Sequence, residues 1–301
     1  MKATIHLEIG ASILVATLRP SMPGRGRRLA RVVSLKLQQG RKPADRTPVP
    51  PFPGEETRGG ISTEVISWAP GATRPENVAA LLAASAQALQ ALRARHTATL
   101  DGCHLVVRTG GDASYVGITP MDFSSPSARS GQQLRVVAKA LAQEAMGTGA
   151  AAHEVRWSIQ ADQAHLCVIT LESALIAGLQ ALAQAQRMKL VSCQPALVEL
   201  LDGELEKSRR QRDARTLMWA ECEASERRHA AVTFVRVVNG SAVNAWRTAV
   251  LAPSASDNLW RQQAQDRFLI ASGAADDEQV VPFVWPAHAV DPTPVALELV
   301  A

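Results

Sequence analysis

Two short runs near the N-terminus constrain this chain more than any other feature. Thr4–Ile9 alternates along its length, Ile13–Leu18 is apolar and β-branched, and Gly10-Ala11-Ser12 between them leaves space only for a turn. Leu29–Leu37 alternates again, with Leu29, Val33, Leu35 and Leu37 sharing a face. Three consecutive strands of this kind predict an antiparallel meander, which must bury one face against something else.

The period changes after Leu37. Residues 38–60 carry Pro43, Pro48, Pro50, Pro51 and Pro53 among glycines, so they read as an extended loop or insertion. Ile61–Trp68 returns to strand. Pro75-Glu76-Asn77 opens a helix to about Arg95, with Val78, Leu81, Leu82, Leu89 and Leu92 on one face. Cys103–Arg108 and Tyr115–Thr119 read as strands about a Gly110-Gly111-Asp112 turn. A helix over Gln132–Met146, strands over Val155–Ile159 and Leu166–Leu171, and a helix capped by Ser173 and running to Gln186 come next. Leu190–Ser192 is a short strand, and Pro195 starts a helix to about Glu206.

The charged run Glu204–Arg215 reads as a solvated helix end or linker and marks the subdomain boundary. Beyond it Thr216–Glu221, Ala231–Val238 and Ala242–Val250 are strands, with Asn239-Gly240 as a hairpin turn. Ser256 caps a helix through Asp266, Phe268–Ala271 reads as a strand, and Pro282–Trp285 and Val295–Val300 as edge strands. The order predicts an α/β protein of two RNase H-like subdomains. Residues 1–208 form the first, with the Pro-rich insertion at 38–60, and residues 209–301 the second and shorter. Each would hold a mixed sheet, a three-strand antiparallel meander plus parallel strands, flanked by helices.

Composition narrows the function classes. Hydrophobic residues make up 47% of the 301, enough for a sizeable interior, and aromatics only 4%, so that interior is mostly Ala, Leu and Val. The net charge of +4 is too small an excess for a dedicated nucleic-acid binder. Basic side chains do cluster at Arg25, Arg27, Arg28 and Arg31 and at Arg209, Arg210, Arg212 and Arg215. Solvated surface segments explain them, with contact to acidic lipid or an acidic partner as the alternative. No CxxC pair occurs among Cys103, Cys167, Cys193 and Cys222, which argues against zinc and for reduced thiols. No signal peptide is visible and no membrane span is expected, and the sequence holds no GxSxG elbow, no HExxH and no P-loop.

Three segments resemble a known family. LDGCHLVVRTGGDASYVGITPMDF (100–123), LESALIAGLQALAQAQRMKLVSCQPALVELLDG (171–203) and RTLMWAECEASERRHAAVTFVRVVNGSAVNAWRT (215–248) are similar to stretches of the PilM, MshI and GspL group of pilus-assembly and type II secretion proteins. The resemblance covers roughly 100–250, with a weaker echo at 4–37. It implies an actin-like fold. It also implies a bacterial cytoplasmic scaffold at the inner face of the inner membrane, which recruits an inner-membrane assembly protein through a peptide laid in a groove. Some members of the group bind ATP.

An actin-like nucleotide site needs glycine-bearing phosphate loops and a carboxylate for Mg²⁺ or water. The resemblance places the first loop at Glu8, Gly10 and Ser12 and the adenosine loop at Gly273. The second phosphate loop would be Glu221–Ser225, which has no glycine, and Glu221, Glu223 and Glu226 would repel a triphosphate. The residues therefore point to a degenerate site, no bound cofactor and a non-enzymatic scaffold. The alternative is an ATP-binding actin-like ATPase or a divergent sugar-kinase-like enzyme. Peripheral membrane association and self-association stay open, and a Trp among 68, 219, 246, 260 and 285 is available as an interface anchor.

Overall fold

The computed structural model describes residues 3–10, 13–19, 62–67, 73–96, 100–110, 114–146, 152–222, 229–251, 259–272 and 279–285. The first sheet begins with the expected hairpin: β1 (Thr4–Ile9) pairs antiparallel with β2 (Ile13–Arg19). The third strand of the meander is β3 (Ser62–Ser67), antiparallel to β2. The run 29–37 that was expected there lies outside the described residues, as does the Pro-rich segment.

On the other side of β1, β4 (His104–Thr109) and β8 (Lys189–Pro195) add in parallel, giving the order β3-β2-β1-β4-β8. One face of this sheet packs under α1 (Arg74–Arg95) and α3 (Ser173–Ala185). Ile5, Leu7 and Ile9 meet Leu89 and Leu92 of α1 and Leu175 and Leu179 of α3, each fully buried. Each such side chain contributes about 1.5–3 kcal/mol over an exposed one. Gly178 lets the two helices approach, since a Cβ there would run into Leu82. The N-terminus of α1 is closed by the Thr73 amide donating to Glu76 at 3.0 Å. Ser173 is the first residue of α3 rather than its cap. Glu172 holds the cap position, without a side-chain capping bond.

A second sheet contains β9 (Ala214–Cys222), β10 (His229–Val238), β11 (Ser241–Leu251) and β12 (Gln279–Trp285) in the order β11-β10-β9-β12. It too is a meander extended by a parallel strand, β12 beside β9. Asn239 and Gly240 both have positive φ, as the β10–β11 turn requires. One face packs on α5 (Leu259–Ser272) through Phe268, stacked on Phe234 at 4.5 Å. The strand expected over 268–271 is thus the end of α5: four apolar-leaning residues cannot distinguish a strand from a last helical turn. The other face packs on α4 (Ala196–Gln211) through Leu197, Leu200 and Leu201.

A third sheet was not anticipated. β5 (Ser114–Pro120), β6 (His153–Ile159) and β7 (His165–Glu172) form an antiparallel sheet of their own, ordered β5-β7-β6. Its outer face is covered by α2 (Gly131–Met146), where Leu134 and Ala138 meet Leu166 and Val168. Its inner face, with Val116, Cys167 and Ile169, joins the core shared by α4 and the second sheet. Arg74 ties it to the first unit, with Nε 2.6 Å from Glu172 and Nη2 2.8 Å from Nε2 of His153. Gln160 and Asp162 tie it to the second: the Asp162 amide donates to Ser241, and the Ala242 amide donates to Gln160.

The charged run is not simply solvated. Glu204 and Arg215 are both buried and pair at 3.0 Å, with Asp213, Gln211 and Lys207 around them. Arg209 and Arg210 pair with Glu206. Arg215 is thus held inside the fold, whereas Arg209 and Arg210 are half exposed and share one carboxylate, so that part of the cluster keeps a positive excess at the surface. The cluster at 25–31 lies outside the described residues.

Candidate functional site

The parallel strands β1, β4 and β8 bring their C-terminal ends to one edge of the first sheet, the edge where α/β proteins bind ligands. Glu8 and Arg108 stand opposite each other in the β1–β4 register. Arg108 reaches Glu8 through Nη1 at 3.1 Å and Glu199, in the first turn of α4, through Nε at 2.5 Å and Nη2 at 2.7 Å. One guanidinium thus holds two carboxylates, in a fork geometry that favours the bidentate arm. The side chains of Arg108 and Glu8 are only 10% and 12% exposed, and that of Glu199 30%, so water weakens these pairs little. His6, two residues before Glu8, feels the result: burial first, then the charges of Arg108 and Arg19, push its pKa down to about 3.

Facing this edge, Trp219 and Glu221 on β9 close a cavity of about 160 Å³ with Thr109, Tyr115, Leu197 and Arg247. The Trp219 indole donates to Glu221 at 3.0 Å, and Arg247 lies 3.8 Å from the same carboxylate. A cavity this size is below the roughly 300–1,000 Å³ of small-molecule pockets.

This donor set does not fit a magnesium–triphosphate group. The carboxylate expected to serve the metal, Glu8, is held by a guanidinium, and Glu221 adds a second carboxylate to the cavity lining, which disfavours an anion there. Gly10 is buried at the end of β1; Ser12 and Gly273 lie outside the described residues, as do Gly111 and Asp112. Of the four residues expected to form the site, Glu8 and Gly10 are described and lie together at the end of β1. Among the described residues no group of three or more His, Cys, Asp or Glu side chains could hold a metal.

A second concavity, a groove of about 240 Å³, lies between the first and third sheets. Its lining is mixed: Ile169, Leu171, Leu190 and Val198 are apolar, while Glu154, Arg156, Gln180 and Gln194 are polar or charged. One wall is β8, the outermost strand of its sheet among the described residues, where Val191 is 50% exposed. Cys193 also lines the groove, and burial pushes its pKa up to about 12, so it offers no thiolate for chemistry.

The fold and this edge define a mixed α/β protein of two meander-plus-parallel units joined by an inserted antiparallel sheet. No family model and no curated protein matches the sequence. Among solved structures the chain is similar to a Bacteroides thetaiotaomicron protein with actin-like ATPase fold and unknown function, at 8% identity and a TM-score of 0.48, covering 94% of this chain and 81% of that one. It is also similar to the PilM–PilN type IV pilus biogenesis complex, at 12% identity and a TM-score of 0.42, covering 90% and 66%. A third similarity is to the cytoplasmic domain of EpsL, an inner-membrane component of the type II secretion system of Vibrio cholerae, at 7% identity and a TM-score of 0.43, covering 94% and 82%.

Sequence reasoning missed Arg108, Glu199 and the groove. The signal for the first two was present: Arg108 interrupts the apolar strand HLVVRT, and Glu199 interrupts ALVELL. A charge inside a run that must be buried demands a partner of opposite sign. The groove had no such signal, because it is made by strands distant in sequence.

Proposed function

We propose that the chain is a non-enzymatic cytoplasmic scaffold of a type IV pilus or type II secretion-like assembly machine, and that it recruits an inner-membrane partner through a peptide in the groove beside β8. The observation that carries the reading is the conjunction of a groove of mixed polar and apolar lining with an outermost strand. Such a strand offers backbone donors and acceptors to an extended peptide, while the floor takes alternate side chains. The resemblance of residues 171–203 supports it, since β8 and the parts of α3 and α4 that line the groove fall within that segment.

No helix among the described residues is long and apolar enough to cross a membrane, so in this reading the partner supplies the membrane anchor. The ATP-binding alternative is disfavoured by the engagement of Glu8 with Arg108. The test is calorimetric titration of the full chain with a peptide from the cytoplasmic end of an inner-membrane assembly protein encoded beside it. Saturable binding that Val191→Asp abolishes is expected. No binding, or binding indifferent to Val191→Asp, contradicts the reading.

A further inference from the structure

We infer that Arg108 is a resident cation between Glu8 and Glu199, standing where a divalent metal would otherwise be needed to hold the two carboxylates together. The ground for this is the mismatch between the residues around Glu8 and a magnesium–triphosphate group, and the peptide groove plays no part in it. Glu8 comes from β1 and Glu199 from α4, so the two carboxylates are brought together only by the fold. Two carboxylates converging in a mostly buried place repel unless a cation sits between them. Hard divalent cations meet that need with oxygen ligands. Here a guanidinium meets it, with three of its nitrogens each within 3.1 Å of a carboxylate oxygen.

The consequence reaches the whole molecule through α4. Its first turn is held to the first sheet by Glu199 and Arg108, and its second half to the second sheet by Glu204 and Arg215. In this arrangement a bound metal is not required to bridge the two units, because the protein carries the bridging charge in its own chain.

The experiment uses the full chain as wild type, Arg108→Gln, Arg108→Lys and the double variant Arg108→Gln/Glu199→Gln, each melted in EDTA and in millimolar Ca²⁺. Wild type and Arg108→Lys should melt alike in both. Arg108→Gln should melt lower in EDTA, recover by several degrees in Ca²⁺, and bind Ca²⁺ about tenfold or more tighter than wild type. The double variant should lose the recovery. If Arg108→Gln does not fold in EDTA, refolding by dilution into Ca²⁺ gives the same readout, and recovery of folded protein only with the cation supports the inference. Wild type stabilised by Ca²⁺ as much as Arg108→Gln, or Arg108→Gln indifferent to Ca²⁺ in both formats, overturns it. Either failure leaves the peptide groove untouched, since it shares no residue with Glu8, Arg108 or Glu199.

Discussion

Glu199 and Glu204 stand little more than one turn apart on α4, and each carboxylate closes on an arginine from a different sheet. The helix that connects the two main units is therefore fastened to both by buried or half-buried charge. Where such pairs are lost, the surviving partner bears the larger cost, because it remains desolvated without compensation.

Arg215→Ala tests this at the second sheet. It leaves Glu204, whose side chain is 2% exposed, with only Lys207 as a cation partner. A loss of about 2–4 kcal/mol is expected, read as a drop in the urea midpoint. Combining Glu204→Gln with Arg215→Met should recover part of that loss, because neither residue then carries a buried charge.

The β10–β11 turn makes a second, sharper prediction. Gly240 has φ +81°, and a Cβ there would sit 2.6 Å from Cβ of Arg209 and 3.1 Å from the Leu205 carbonyl. Gly240→Ala should cost about 1–2 kcal/mol from backbone conformation alone, and more from the contact with α4. Gly131→Ala, with open space around its Cβ position, should cost nothing or stabilise α2 in the same assay.

His6 gives the pH dependence. Its pKa is lowered from 6.5 to about 3 in the folded protein, first by burial and then by Arg108 and Arg19. Between those values the unfolded chain binds a proton that the folded state refuses. The His6 contribution is complete above pH 6.5 and is lost as pH falls towards 3, by at most about 1.4 kcal/mol per unit. Urea midpoints from about pH 7.5 to 5 should fall for wild type and flatten for His6→Asn.

The thiols should be inert while the fold persists. Burial pushes both Cys167 and Cys193 up to about 12. With iodoacetamide at about pH 8, mass spectrometry should find both unmodified in the native chain and both modified in urea. Rapid native labelling of Cys193 would mean that the groove wall opens readily.

The sequence carried most of the local structure and little of its assembly. The bounds of β1, β2, β4 and α1 follow from period and turn residues, and Asn239-Gly240 marks its hairpin, because these depend on neighbouring residues alone. Strand partnership does not. Ser62–Ser67 pairs with β2 across a long intervening segment, and β5, β6 and β7 leave the first sheet to form their own. Nothing in a strand's alternation names its neighbour. Phe268 was misplaced for a related reason: its burial against Phe234 is a tertiary fact that a helix and a strand can both satisfy.

The site shows the same division. Glu8 was legible as a carboxylate near the end of a strand, but its role depended on what faced it. Arg108 lies in a different strand and Glu199 in a helix, so the guanidinium between them emerges only when all three elements are placed.

The most direct measurement is calorimetric titration of Mg-ATP into the 301-residue chain, paired with its melting temperature at millimolar nucleotide. If Glu8 is held by Arg108, which also holds Glu199, no saturable heat and no rise in melting temperature should be seen. A stoichiometric binding isotherm accompanied by a nucleotide-dependent rise in melting temperature would contradict the account at its centre.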